Sequence, residues 1–181
     1  MTAPVPPPPE GTALALRIYV KLLRAAGAIG ARVEPAILAA GLTPTQFGVL
    51  EALLHKGTLM QVELGRKLLS SPGNMTDVID KLERRGLVRR GRKPGDRRAV
   101  RVALTEAGRT MIGQLFPAHA RAIAAAMAGL SAAELETLGD LLRTLGRTAS
   151  GTYQPAGAAT PDPLADEYGL AHLPGRSFDI E

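Results

Sequence analysis

The 181-residue chain contains no cysteine and no tryptophan. Without a thiol there is no disulfide, no thiolate metal site, no cysteine nucleophile and no thiol-based sensing of oxidants. Aromatic residues are scarce: three Tyr and three Phe, none of them within the basic stretch described below. A base-stacking platform for single-stranded nucleic acid is therefore not expected. No run of about 18 apolar residues occurs, so no membrane-spanning helix and no membrane partner are expected. The opening MTAPVPPPPEG has neither the basic nor the apolar segment of a secretory signal, which makes a cytoplasmic protein the expectation. Catalytic signatures are missing as well. There is no G-x-S-x-G, no phosphate loop and no dinucleotide fingerprint. His55, His119 and His172 lie far apart without ligand spacing, and Glu134 and Glu136 fall on opposite sides of a helix. These absences predict no enzymatic activity, no metal and no cofactor. His55, near the end of its helix, is expected to support that C-terminus.

What the chain does have is unevenly placed charge. The net charge is +5, yet residues 81–101 hold ten Lys/Arg against Glu83 and Asp96. Residues 150–181 hold Arg176 against Asp162, Asp166, Glu167, Asp179 and Glu181. Concentrated positive charge of this kind predicts a polyanionic partner, nucleic acid first.

The periodicity divides the chain into five parts. Residues 1–11 form a flexible, proline-rich lead. Residues 12–40 carry a helix in which Leu14, Ile18, Leu22 and Ala25 recur at helical spacing, with Pro35 expected to kink or break it. Residues 41–104 form a central domain. Its first helix starts at Thr43 and Pro44, a cap and a first-turn proline, with Gln46 completing a capping box. Phe47, Leu50 and Leu54 form its inner stripe, and Gly57 is its stop. A short helix over about 61–68 turns Leu64 and Leu68 inward; Met60 is a poor cap for it. Ser71 and Pro72 repeat the cap device. Met75, Val78, Ile79 and Leu82 then make one apolar face, ended by Gly86. LVRRG and RAVRVAL read as two strands of a hairpin turning at Lys93-Pro94-Gly95-Asp96. Residues 105–149 carry two helices. Thr105 caps the first, which Pro117 is expected to interrupt. Ser131 and Glu134 box the second, where Leu135, Leu138, Leu142 and Leu145 suit packing against another helix. Residues 150–181 are a flexible acidic tail.

Two short helices joined by a tight turn make a helix-turn-helix, followed here by a basic hairpin, and its second helix fits the major groove. The candidate DNA-contacting residues follow from that geometry. Ser71, Pro72, Gly73, Asn74, Thr76 and Asp77 are small or short and let the helix approach base edges. Asn74 suits adenine, Thr76 a thymine methyl and Asp77 a cytosine amine. Lys81, Arg84 and Arg85 suit phosphate. Arg92, Lys93, Arg97 and Arg98 on the hairpin suit a narrow minor groove. Asp96, an acid amid these, is expected to pair with Arg98 and orient the wing.

At this point the chain resembles the MarR family of bacterial transcriptional regulators. The likeness covers about residues 12–148 and rests on GLTPTQFGVLEAL, NMTDVIDKLERRGLVRR and GDRRAVRVALTEAGR, in that order. The nearest likeness within the family is to a branch linked to aromatic or quinone-like stress. The resemblance implies a mostly α fold: a winged helix-turn-helix with a two-stranded β-hairpin wing and an α-helical dimerisation region. It further implies a homodimer built by the first and last helices, a pseudo-palindromic double-stranded DNA operator, and a repressor released by a small phenolic or other aromatic ligand. Under that reading, residues 12–40 and 105–149 are the dimerisation parts. The small residues Ala25, Ala26, Gly27, Ala28, Ala118, Ala120, Ala122 and Ala124 then line a pocket, where packing alone would make them close helix contacts. The chain departs from the family pattern in Met60, in lacking the cysteine of oxidant-sensing members, and in its acidic tail. Two other functions fit the same residues: an architectural DNA-coating protein without ligand response, and a winged-helix module that binds protein.

Overall fold

The computed structural model describes residue 9, residues 11–93 and residues 96–149, with the backbone alone at 92, 93 and 96–99. The elements are α1 (Thr12–Ala39), α2 (Pro44–Lys56), β1 (Leu59–Met60), α3 (Gln61–Lys67), α4 (Pro72–Arg84), β2 (Val88–Lys93), β3 (Asp96–Leu104), α5 (Glu106–Met127) and α6 (Ala132–Ala149). The lead and tail segments, His172, and the Pro94-Gly95 turn lie outside the described residues.

The helix starts follow the side chains that can accept from free N–H groups. Thr43 Oγ1 accepts from Gln46 N–H at 3.2 Å, and Gln46 Oε1 accepts from Thr43 N–H at 3.0 Å. Ser71 and Thr105 cap α4 and α5 in the same way, with no reciprocal partner three residues on. At α6, both the N–H and the hydroxyl of Ser131 donate to Glu134 Oε2. The backbone bond, then the hydroxyl bond, lowers the Glu134 pKa. Met60 supplies no accepting side chain for α3. Glu63 Oε2 instead accepts its N–H at 2.6 Å, so half a box stands where the cap is poor. Gly41, Gly57 and Gly86 end α1, α2 and α4 at positive φ of 70°, 73° and 69°, the conformation that costs a residue with a Cβ most.

Neither proline interrupts its helix. α1 runs through Pro35 and α5 runs through Pro117 without a break. A mid-helix proline removes one N–H and leaves the carbonyl four residues back unpaired. Those carbonyls belong to Ala31 and Gly113, and all four residues are exposed, so water can satisfy them. Buried residues on either side hold each helix in line: Val33 and Ile37 in α1, Ile112 and His119 in α5.

The core lies in the central domain, where α2, α3, α4 and the sheet meet. Leu42, Val49, Leu50, Leu53, Leu64, Met75, Ile79, Leu82, Val102 and Ile112 are each at most 1% exposed. Leu54 and Leu68 pack against this cluster partly buried. The sheet has one strand more than the sequence suggests. β1 pairs antiparallel with β3, Leu59 opposite Val102 and Met60 opposite Arg101, giving the order β1-β3-β2. Two residues are too few for alternation to register. The alternating Val100, Val102 and Leu104 do form β3 as expected. α6, by contrast, contributes no buried residue, and the small residues Ala25, Ala26, Gly27 and Ala28 of α1 are exposed.

α5 meets α2 through two ring pairs. The His119 ring lies 4.4 Å from that of Phe47, and the His55 ring 4.7 Å from that of Phe116. His55 does sit in the last turn of α2, where burial and then the neighbouring Lys56 lower its pKa. His119 Nδ1 is buried with no hydrogen-bond partner among the described residues, and burial lowers its pKa too. A histidine whose folded pKa lies below its unfolded value of about 6.5 binds protons more readily when unfolded. Its contribution is therefore intact above about pH 6.5 and is lost as pH falls from there towards the folded pKa. His55 acts with the same sign. The melting temperature should fall as pH is lowered below about 6.5, and His119→Phe, which keeps a ring and removes the unpaired nitrogen, should flatten part of that fall. Identical slopes for the two proteins would refute the assignment.

At Gly108, α5 passes close to the backbone just before β2. A Cβ there would lie 1.9 Å from the carbonyl oxygen of Leu87, which itself accepts from Thr105 N–H at 3.1 Å. Gly108→Ala should destabilise by about 1–3 kcal/mol or more, because a backbone carbonyl cannot step aside. Gly113, in the same helix with nothing near it, is the control. Gly113→Ala should stabilise by about 0.5–1 kcal/mol in denaturant titration.

Candidate nucleic-acid interface

α4 is built to show one side. Its four apolar residues, Met75, Val78, Ile79 and Leu82, are all buried. Geometry then leaves Pro72, Gly73, Asn74, Thr76, Asp77, Lys81 and Arg84 exposed, with Ser71 exposed at the cap and Arg85 at the end. The helix start is fixed by short polar bonds. Ser71 Oγ accepts from Asn74 N–H at 3.3 Å, and Asn74 Nδ2 donates to Ser70 Oγ at 2.7 Å. Thr76 Oγ1 donates to Pro72 O at 3.0 Å and accepts from Gln61 Nε2 at 2.8 Å. This last bond ties the start of α3 to the start of α4 across their turn. The turn itself carries Leu69 at φ 48°, 95% exposed, where Ser70 N–H donates to Gly65 O at 2.9 Å.

Among the described residues, Arg84, Arg85 and Arg90 of this region are engaged within the protein; Arg84 Nε donates to Asp80 O at 3.4 Å. Arg85 Nη1 donates to Gly41 O at 2.6 Å, across the end of α1. Arg90, on β2, has its guanidinium directed at α4. Its Nη1 meets Glu83 Oε2 at 2.9 Å and also Asp80 Oδ1, while Nη2 donates to Thr76 O at 3.2 Å. The Arg90 N–H donates to Glu83 Oε1 at 2.8 Å. The sequence reading missed Arg90, because no periodicity relates a helix residue to a strand residue seven positions on. The wing-tip side chains Arg92, Lys93, Arg97 and Arg98, and the expected Asp96–Arg98 pair, lie outside the described residues. Among the described residues no group of three or more His, Cys, Asp or Glu could hold a metal ion. Among them, too, no single helix is long and apolar enough to cross a membrane.

An exposed capped helix following a short helix, with a hairpin braced against it, is a winged helix-turn-helix. Residues 42–100 match the model of the MarR family. HTH-type transcriptional regulator MhqR of Bacillus subtilis (strain 168) is 36% identical over 138 residues, covering 76% of this chain and 95% of that protein. The chain belongs to the MarR family. Solved structures agree with that membership. A probable transcriptional regulator from Pseudomonas aeruginosa superposes with a TM-score of 0.61 at 37% identity, covering 73% of this chain and 98% of that one. Bordetella bronchiseptica BpsR, whose DNA binding is regulated by 6-hydroxynicotinic acid, superposes with a TM-score of 0.65 at 29% identity, covering 72% and 98%. The MarR relatives are transcriptional regulators, and this chain is a DNA-binding regulator of that kind.

The Ser71 cap lies at the exposed start of α4 in this MarR helix-turn-helix. Ser71→Ala should cost about 0.5–2 kcal/mol, and Ser71→Asp, which still accepts from the Asn74 N–H, should recover most of it. Equal melting temperatures for wild type and Ser71→Ala would show that the cap carries no weight.

Proposed function

We propose that the chain acts as a cytoplasmic, non-enzymatic, homodimeric repressor. It reads a pseudo-palindromic double-stranded operator and leaves it on binding a small aromatic compound. The observation that carries this reading is the division of the exposed surface. α4 presents small polar residues at its capped end, while α1 and α6 leave Leu14, Leu16, Tyr19, Leu23, Leu141 and Leu145 about half or more exposed. Apolar faces of that size on two helices favour a second copy of the chain. Residues 12–40 and 105–149 then form the dimer and residues 41–104 bind DNA. Two copies of α4 related by a two-fold axis would meet half-sites about 34 Å apart.

In this reading Ser71, Pro72, Gly73, Asn74, Thr76 and Asp77 face base edges. The Thr76 hydroxyl is already engaged on both sides, which leaves its methyl group for a thymine methyl. Lys81, Arg84, Arg85, Arg92, Lys93, Arg97 and Arg98 serve phosphate and the minor groove, with Asp96 orienting the wing. The similarity to BpsR supports a weakly acidic aromatic ligand. A ligand acts by preferring one dimer shape over another. A tenfold loss of DNA affinity needs about 1.4 kcal/mol of coupling, and DNA must weaken the ligand equally.

Footprinting with sedimentation tests the whole reading. The expected result is a dimer with two protected half-sites, released by hydroxylated aromatic acids. Continuous coating of DNA, or a monomer at micromolar concentration, would refute it. Variants separate the two kinds of contact. Asn74→Ala should relax preference at particular base pairs at a cost of about 1–3 kcal/mol. Arg84→Ala should weaken all sequences alike and lower the salt slope by about one. Uniform weakening by Asn74→Ala would remove its base-reading role.

A further inference from the structure

Arg90, on β2, has its charge turned inward, towards α4. Its side chain is 23% exposed, and its guanidinium reaches two carboxylates and one backbone carbonyl, all on α4. Asp80 and Glu83 stand three residues apart, so they lie on one side of the helix. Thr76 is one turn further back, and its carbonyl extends the same side. Arg90 thus spans two turns of α4 from a single position on β2. The second component of the contact is main-chain. β2 is an edge strand in the order β1-β3-β2, and the Arg90 N–H is taken up by Glu83 Oε1 at 2.8 Å instead of by a neighbouring strand. Glu83 therefore holds both the backbone and the side chain of one wing residue.

From this geometry we infer that Arg90, Glu83 and Asp80 form a latch that fixes the angle between α4 and the wing, and that Arg90 is a positioning residue for operator binding, not a phosphate contact. The inference rests on the base-reading function proposed above. A helix in the major groove and a hairpin beside it must engage at once. An unlatched wing would have to be ordered on binding, which lowers specific affinity more than non-specific affinity. The guanidinium suits the task because its planar fork meets two acceptors at fixed geometry; an ammonium cannot reproduce that.

Charge counting and the latch predict opposite signs. If Arg90 contacted phosphate, Arg90→Lys would bind almost as well as wild type. Arg90→Met would lower the salt slope by about one, and Asp80→Asn/Glu83→Gln, two units more positive, would bind all DNA more tightly. With the latch, Arg90→Lys, Arg90→Met and Asp80→Asn/Glu83→Gln all lose operator affinity, by about tenfold or about 1.4 kcal/mol. Non-specific affinity and the salt slope of Arg90→Met stay near wild type.

The experiment measures operator and random-duplex affinity over a salt series for these variants, with melting temperature as the folding check. Alongside it, amide hydrogen exchange across residues 88–93 is followed in the DNA-free protein, where Arg90→Met should speed exchange. Wild-type operator binding by Arg90→Lys, tighter operator binding by the double variant, or unchanged exchange in Arg90→Met would overturn the latch. A wild-type protein with no discrete footprint would instead refute base reading. The exchange measurement would still decide whether the latch exists.

Discussion

The burial of Met75, Val78, Ile79 and Leu82 along one side of α4 constrains the rest of the interface. Each such side chain is worth about 1.5–3 kcal/mol when removed from water. Turning the helix by one residue, about 100°, would bring part of that face into solvent and cost several kcal/mol. The polar residues that face outward have no comparable hold on the helix. Asn74, Thr76 and Asp77 are exposed because of what lies behind them, and the same core that stabilises the domain aims its outer face. Gly108 extends this control to the wing, since α5 can approach the carbonyl of Leu87 only without a side chain at that position.

Much of this was readable from residue order, and the reasons are local. Thr43 with Gln46, Ser71, Thr105, and Ser131 with Glu134 are caps whose bonds close within three residues. The glycines at 41, 57 and 86 stop helices through a backbone conformation that needs no distant partner. The failures share the opposite property. Pro35 and Pro117 were misjudged because the cost of proline depends on whether water reaches the freed carbonyl. β1 is two residues long and exists only because β3 is there to pair with it. Arg90 was invisible because its partners are on another element, and neither charge nor spacing marks them out.

The structure also changes what the positive charge means. The cluster at 81–101 reads in sequence as a single patch available to a polyanion. Yet Arg90 meets two acids of α4. Formal charge therefore overstates the number of cations available to phosphate. Charge in a small DNA-binding domain has two uses, one at the surface and one between elements, and only geometry tells them apart.

The unbroken passage of α1 and α5 through their prolines has a mechanical side. A helix resists bending through its ladder of backbone bonds, and a missing rung leaves it most compliant at that level. The rung is absent at Ala31 in α1 and at Gly113 in α5. Each helix is thus a pair of stiff rods in series with a softer joint, clamped by buried residues on both sides. A force applied at the far end of either rod produces curvature at the joint before it disturbs the packed domain. Displacement can be taken up there elastically, without unfolding a turn.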